Sequence, residues 1–246
     1  MDASRLARLA AFGAVVAFGA CGGGGGGSSG IGLEDLNQDG RVIVLCFGDS
    51  ITRGVGDGPT ADSLPPAPAG YPARLQSLLL PETKLPLTVI DDGKPGERTA
   101  NGLVRLRRDL ERNTPDYTLL LEGTNDVEDG HTNRALANMQ LMIDSVFQTG
   151  GMPLLGTITP SCCAHKNQLP EGAVIAYNDQ LRAIALNDSI PIVDFYRAFT
   201  AAPNPDSNSD PDAPYDSTLG LIHVPEGLHP TPNGYDLMAA TARALF

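Results

Sequence analysis

Apolar and polar positions follow two alternating patterns from residue 41 to the end of the chain. Short, continuous apolar runs predict buried parallel strands, because such strands are covered on both faces. Between and after these runs, longer segments place apolar residues at helical spacing. The predicted strands are Val42–Phe47, Leu87–Ile90, Tyr117–Leu121, Pro153–Ile158 and Ile192–Phe195. The predicted helices are Tyr71–Leu80, Thr99–Asn113, Thr132–Thr149, Pro170–Leu186 and Asn233–Phe246.

The alternation of strands with longer helices predicts successive βαβ units. We therefore expect an α/β fold, a three-layer α/β/α sandwich around a five-stranded parallel sheet of the flavodoxin-like type. In such sheets, ligands bind outside the carboxyl ends of the strands. Residues that carry chemistry are accordingly expected in the segments that directly follow each strand.

The first 21 residues are unlike the rest of the chain. Arg5 and Arg8 precede a short run of apolar and small residues, which is typical of a signal peptide and too short to span a bilayer. The run ends at Cys21, and the small residues before it resemble the lipobox of bacterial lipoproteins, with plain cleavage after Ala20 as the alternative. We expect an exported protein, a periplasmic or cell-envelope lipoprotein, whose membrane contact is this anchor alone.

A stretch rich in glycine and serine, residues 22–40, predicts a flexible tether. Residues 41–246 then form one predicted domain. At the end of the tether, Asp35–Gly40 has the D-x-N-x-D-G start of a calcium loop, but Cys46 stands where that loop needs a carboxylate. We expect a polar turn there. We also expect no metal and no cofactor, since no Cys/His set has zinc spacing.

The net charge of −12 limits the classes of partner. Nucleic acid binding needs clustered Lys and Arg. The longest basic run, Arg105–Arg108, lies in a helical pattern beside acidic residues and is expected to form a solvated face. We therefore expect no nucleic acid partner, and a monomer. Among the cysteines, Cys46 is expected to be buried, and Cys162 or Cys163 could pair with a distant cysteine in an oxidising compartment.

Polar, glycine-rich segments follow the predicted strands and should meet at one edge of the sheet. A serine hydroxyl becomes a nucleophile when a histidine takes its proton, and a carboxylate orients that histidine. Donors aimed at the developing oxyanion complete such a site. The residues of these types are Ser50, Gly96, Asn125, Glu226 and His229. Glu226 and His229 are three apart, which on a helical turn puts both side chains on one side.

The backbone N–H groups of Ser50 and Gly96 and the amide of Asn125 are the three candidate oxyanion donors. Two of these residues have simpler alternatives. Gly96 could serve only to form a turn. Asn125 could cap a helix, although Asp126 is better suited to that cap. The remaining histidines are expected in surface loops. They are His131, His165 and His223.

Four blocks in this order resemble those of the SGNH hydrolase superfamily, also called GDSL-type esterases. The blocks are Gly48-Asp49-Ser50, the Gly96 turn, Gly123-Thr124-Asn125-Asp126 and Pro225–Tyr235. The resemblance runs from Val42 to Phe246. It implies a serine esterase that hydrolyses carboxylic esters through an acyl-enzyme on Ser50. It also implies that His229 is the base and that Gly96 and Asn125 contribute to the oxyanion hole.

One position departs from the family pattern, which is D-x-x-H. Glu226 stands where the pattern has Asp, and its carboxylate must fold back by one methylene to reach the same ring nitrogen. Glutamate does serve in some catalytic triads. The alternatives are a Ser-His dyad helped by a backbone carbonyl, or an acid from elsewhere such as Asp216.

The substrate class stays open at this point. A small-molecule or carbohydrate ester with a short acyl group is the first expectation. A thioesterase or lysophospholipase of the same fold is one alternative, and a non-catalytic carbohydrate-binding surface protein is another. The Pro-rich loop from Gly56 to Ala69 and the loop from Ala201 to Pro225 are expected to wall the pocket.

Overall fold

The structure, a computed structural model, describes residues 30–201 and 215–246. The predicted signal peptide, Cys21 and the first part of the tether lie outside the described residues, and so does most of the predicted pocket loop after Ala201. Within the two described ranges, every helix is too short or too polar to cross a membrane.

The described residues contain one sheet of five parallel strands in the order β2-β1-β3-β4-β5. The strands are β1 Val42–Gly48, β2 Leu87–Gly93, β3 Tyr117–Leu121, β4 Met152–Gly156 and β5 Ile192–Val193. The central strands β1 and β3 are buried at every position, which explains their continuous apolar runs. The predicted five-stranded parallel sheet is confirmed.

Helices cover both faces of the sheet. They are α1 Ser50–Arg53, α2 Gly70–Leu79, α3 Thr99–Asn113, α4 Thr124–Glu128, α5 Thr132–Gln148, α6 Glu171–Asp188, α7 Phe195–Ala201 and α8 Pro232–Arg243. Helix α8 packs against α2 and α7, whereas α5 packs against α3 and α6. Since right-handed crossovers run in opposite directions from β1 to β2 and from β2 to β3, these two groups lie on opposite faces. The predicted three-layer sandwich is confirmed.

The register aligns the carboxyl ends of three neighbouring strands. Gly48, the last residue of β1, pairs with Gly93 of β2 and with Leu121 of β3. Strand β2 is longer than predicted, because its polar residues Asp91 and Asp92 continue the pairing with β1. The three segments that follow these strands therefore start from one edge of the sheet.

The end of the fifth strand differs from the prediction. A strand as far as Phe195 is wrong, since β5 ends at Val193 and helix α7 begins at Phe195. Asp194 lies between them and accepts a hydrogen bond from the N–H of Arg197 at 3.1 Å, which caps α7. The same carboxylate accepts from Arg182 Nε at 2.9 Å. An apolar run cannot reveal a polar cap of this kind.

The last part of the predicted tether packs against the domain. The N–H of Ile31 donates to the carbonyl of Leu245 at 2.8 Å, close to the end of the chain. The N–H of Leu36 donates to Asp116 Oδ1 at 2.7 Å, and Asp116 is fully buried. The folded part therefore begins before residue 41, and the tether predicted for residues 22–40 is wrong where it includes these contacts.

The three described cysteines are free thiols. Cys46 is buried in β1, as predicted, while Cys162 is buried and Cys163 is exposed. The disulfide considered for Cys162 or Cys163 is therefore not formed among the described residues. Burial raises the pKa of the Cys162 thiol to about 12, so this thiol is protonated at neutral pH.

Candidate active site

Three side chains from distant parts of the chain form a hydrogen-bonded series at the carboxyl edge of the sheet. Nε2 of His229 lies 3.1 Å from Ser50 Oγ. Nδ1 of the same ring lies 2.9 Å from Glu226 Oε1. A carboxylate can only accept here, so Nδ1 carries the proton and Nε2 is free to accept from the serine hydroxyl. The structure thus brings together Ser50, His229 and Glu226, as the sequence predicted.

The turn between β1 and α1 places Ser50. It is the first residue of α1, and the Asp49 carboxylate before it accepts from the N–H of Ile51 at 2.9 Å. This side-chain bond caps the short helix. Asp49 is fully buried, and burial raises the pKa of its carboxyl to about 6. Ser50 is itself largely buried, with 9% of its surface exposed.

Glu226 uses both of its carboxylate oxygens. While Oε1 accepts from the His229 ring, Oε2 accepts from the N–H groups of Leu228 at 2.8 Å and His229 at 2.9 Å. Partial burial acts against ionisation, but the bonds from the ring and the two N–H groups prevail and lower the pKa of Glu226 to about 2. Asp216, the alternative acid, instead accepts from the N–H and hydroxyl of Thr218.

The residues around Glu226 form a turn and not the helical turn suggested by the spacing. Gly227 has a φ of +92°, and a Cβ there would lie 1.9 Å from the carbonyl oxygen of Cys162. Two backbone hydrogen bonds hold the loop to a neighbouring segment. The N–H of Cys162 donates to the carbonyl of Gly227 at 2.8 Å, and the N–H of Ala164 donates to the carbonyl of Pro225 at 3.0 Å. A glycine is therefore required for this close backbone approach.

Gly96 lies in a tight turn after β2. The N–H of Glu97 donates to the carbonyl of Lys94 at 3.1 Å, and Pro95 and Gly96 occupy the two central positions. The φ of Gly96 is +72°, as the third position of a type II turn requires. The closing bond does not use the N–H of Gly96, and no described residue accepts from it. The prediction of a glycine turn with a spare donor agrees with this geometry.

Asn125 lies in α4, directly after β3. Its side-chain Nδ2 donates to the carbonyl of Glu97 at 2.9 Å, which leaves the second N–H of the amide for another acceptor. The prediction that Asp126 caps its own helix is wrong. Asp126 lies inside α4 and accepts from the N–H of Thr99 at 2.8 Å, so it provides an acceptor for a backbone N–H group at the start of α3.

Arg105 lies close to the site, although the sequence did not predict it there. Its basic run was expected to be a solvated face, which holds for Arg108, whose side chain is 70% exposed. The Arg105 side chain is only 11% exposed and forms ion pairs with Asp92 and Glu97. Arg105 lies three residues after Gly102 and four before Asp109, so it shares a face of α3 with these two buried residues.

A second buried acid lies close to Asp49. Glu122, at the end of β3, is fully buried, and neither of its carboxyl oxygens has a hydrogen-bond partner among the described residues. Burial, together with the negative charges of Asp49 and Glu97, raises the pKa of Glu122 well above its ordinary value.

An open cleft of about 340 Å³ lies beside the series. It is lined by Val55, Ala61, Asp62, Leu64, Pro95, Glu226 and His229. The walls supplied by Ala61 and Leu64 belong to the loop that was expected to form the pocket. His223 lies in a loop, as predicted, but is partly buried, and its Nε2 donates to the carbonyl of Gly56 at 2.8 Å, which links this loop to the His229 segment.

The other two histidines lie apart from the cleft lining. His131 is exposed at the start of α5, as predicted. His165 is largely buried, contrary to the prediction, with Nε2 3.5 Å from a carboxylate oxygen of Glu128. Within residues 30–201 and 215–246, no group of three or more His, Cys, Asp or Glu side chains is arranged to hold a metal ion.

The sequence is similar to those of known acylhydrolases and of an arylesterase. The model of the GDSL-like Lipase/Acylhydrolase family matches residues 46–237. An arylesterase from Vibrio mimicus is 33% identical over 108 residues, which cover 44% of this chain and 50% of that protein. The chain thus matches half the length of this relative.

Solved structures share the fold. A lipase/acylhydrolase from Enterococcus faecalis superimposes with a TM-score of 0.66 at 21% identity, covering 82% of this chain and 93% of that one. A variant of an acetyl-xylooligosaccharide esterase from Geobacillus gives a TM-score of 0.62 at 20% identity, with 83% and 94% covered.

Proposed function

Because the chain belongs to the GDSL-like lipase/acylhydrolase family, whose members hydrolyse esters, we propose that it is a serine esterase with Ser50 as nucleophile. The observation that carries this proposal is the series of hydrogen bonds from Ser50 through His229 to Glu226. His229 takes the hydroxyl proton as Ser50 attacks the ester carbonyl, and Glu226 holds the ring and stabilises the imidazolium.

The oxyanion that forms is bound by three donors in this proposal. They are the N–H groups of Ser50 and Gly96 and the free N–H of the Asn125 amide. The protonated His229 then returns its proton to the leaving alcohol, which leaves an acyl group on Ser50. Water enters, gives its proton to His229 and attacks the acyl carbon, so the acid departs and the hydroxyl is restored.

We propose small, uncharged acyl or aryl esters as substrates. The apolar side chains that line the cleft are Val55, Leu64 and Pro95, and its volume of about 340 Å³ suits a small acyl or aryl group. Asp62 and Glu226 at the same cleft, in a chain of net charge −12, disfavour anionic substrates such as acyl-coenzyme A thioesters. The names of the Vibrio arylesterase and of the Geobacillus acetyl esterase agree with this size class.

Turnover of p-nitrophenyl acetate by single-residue variants tests the serine mechanism. We expect Ser50→Ala to lower kcat by about 10⁴- to 10⁶-fold, because the nucleophile is removed. Ser77→Ala is the matched control, since Ser77 is exposed on α2 and donates only to the carbonyl of Ala73. Full activity of a folded Ser50→Ala protein would exclude the proposed nucleophile.

A panel of acyl lengths on oxygen and sulfur esters tests the substrate class. We expect kcat/KM to be highest for acetyl esters and aryl esters and to fall for long acyl chains, which are too large for the cleft. Preference for a long-chain thioester or for a lysophospholipid would favour the alternative activities. A folded protein that turns over no ester at all would support a binding role without catalysis.

A further inference from the structure

One buried guanidinium contacts three chain segments that meet at the site. Arg105 Nη2 donates to the carbonyl of Gly48 at 3.2 Å, two residues before Ser50. Nη1 donates to the carbonyl of Asp92 at 3.1 Å, at the end of β2. Nε donates to Glu97 Oε2 at 2.7 Å, beside Gly96. The group also stacks on Phe47 of β1, with Cζ 3.9 Å from the ring centroid.

Glu97 connects this guanidinium to two of the candidate oxyanion donors. Its side chain is only 1% exposed and is bonded on one side by Arg105, while Lys94 Nζ lies 3.2 Å from the other oxygen. Its N–H closes the turn that presents Gly96. Its carbonyl accepts from the amide of Asn125 at 2.9 Å. A displacement of Glu97 would therefore move both donors relative to Ser50.

We propose that Arg105 and Glu97 are positioning residues that fix the oxyanion donors of Gly96 and Asn125 against Ser50. This inference rests on the proposed serine mechanism. Oxyanion donors stabilise a transition state only when they are held in place before the reaction. An arginine suits the task, because its planar fork reaches three acceptors at once, whereas a lysine offers a single nitrogen.

A second arginine of the same protein provides a matched control. Arg182 is comparably buried, with 17% of its side chain exposed, and it binds the Asp194 carboxylate through Nε at 2.9 Å and Nη2 at 3.0 Å. Asp194 caps α7, and neither residue lines the cleft. Arg182→Lys therefore measures the effect of losing a buried, forked arginine–carboxylate pair that does not contact the proposed oxyanion donors.

The test compares Arg105→Lys, Glu97→Gln and Arg182→Lys in the full chain. For Arg105→Lys we expect kcat with p-nitrophenyl acetate to fall by about 10- to 100-fold at nearly constant KM, since donors are displaced while substrate binding persists. The inhibition constant of phenylboronic acid, whose tetrahedral adduct resembles the intermediate, should rise in parallel. Glu97→Gln keeps an acceptor of the same shape and should show a smaller loss of the same kind.

Arg182→Lys should keep kcat within about twofold, even where its thermal midpoint falls. Amide exchange at Glu97 supplies a readout that needs no turnover, and it should accelerate in Arg105→Lys but not in Arg182→Lys. The proposal is overturned when folded Arg105→Lys and Glu97→Gln keep wild-type kcat and exchange, or when Arg182→Lys loses as much kcat. Wild-type turnover that does not depend on Ser50 would instead contradict the proposed function.

Discussion

The His229 loop and the Gly96 turn are held near Ser50 by different kinds of contact. In the His229 loop, Glu226 accepts from the ring of His229 and from the adjacent backbone, so the proposed acid and base and the N–H groups that bind the acid lie within four residues. In the Gly96 turn, the support comes from Arg105 on α3 and from Asn125 on α4. In the local half of the site, the Glu226 and His229 side chains are oriented by contacts within the loop, which is itself bound to the Cys162 segment. In the distant half, the Gly96 turn and Asn125 are held by contacts distant in sequence.

The difference shows which part of a site can be found in a sequence. A local unit leaves a recognisable spacing, as Glu226 and His229 do. When a site is assembled from several strand ends, its residues are far apart in the sequence and their contacts are not visible there. A buried arginine within a basic run cannot be distinguished from its exposed neighbours. The acids near the site also differ, because hydrogen bonds lower the pKa of Glu226 whereas burial raises the pKa of Asp49 and of Glu122.

The largest expected effect is on the local half. Glu226→Gln should lower kcat by about 10³- to 10⁴-fold, because an amide cannot stabilise the imidazolium and favours the wrong tautomer of His229. Asp216→Asn is the control and should stay within about twofold, since Asp216 only caps a turn with Thr218. Steady-state kinetics on p-nitrophenyl acetate measures both. The reverse ranking would assign the acid to Asp216.

An intermediate effect is expected on the distant half. Asn125→Ala should lower kcat by about 10²- to 10³-fold with a small change in KM, as loss of one oxyanion donor does. Asn133→Ala, at an exposed position of α5, serves as the control. Equal kinetic constants for the Asn125 variant and the wild type would remove Asn125 from the proposed oxyanion hole.

The smallest effects are on stability, and the two acids should give opposite signs. Glu226 has a pKa of about 2 against an ordinary 4.5, so its contribution to stability is complete above about pH 4.5 and is lost as the pH falls toward 2. Asp49 has a pKa of about 6 against 3.8, so its contribution is present below about pH 4 and is lost as the pH rises through 6.

Thermal midpoints measured from pH 2.5 to 7.5 separate these contributions. Glu226→Gln should flatten the dependence below about pH 4.5, and Asp49→Asn should flatten it between about pH 4 and 6. An Asp49→Asn profile that is parallel to the wild type throughout would show that this carboxyl is not the group that titrates there.

The sequence was sufficient for most of the fold, because continuous apolar strands and periodic helices are local patterns. Helix Thr99–Asn113 and strand Tyr117–Leu121 were predicted with their observed bounds. It was insufficient where a distant polar partner decides the structure. Asp194 ends β5 early by capping α7, and Asp116 binds residues of the predicted tether.

The site divides in the same way. Ser50, Gly96 and Asn125 were identified because each follows a strand, and parallel strand ends meet at one edge. The capping role of Asp126 toward α3, the buried environment of Arg105 and the bond from His223 to Gly56 were not predictable. Each depends on which helix or loop lies opposite, and that is a property of the packed chain.

Covalent labelling by a fluorophosphonate probe, followed by peptide mapping, tests whether Ser50 is the nucleophile. We expect one phosphonyl group per protein, attached to Ser50, with labelling lost in Ser50→Ala and strongly slowed in His229→Ala. Labelling at another residue in the wild type, or unchanged labelling of the Ser50→Ala protein, would exclude Ser50 as the nucleophile.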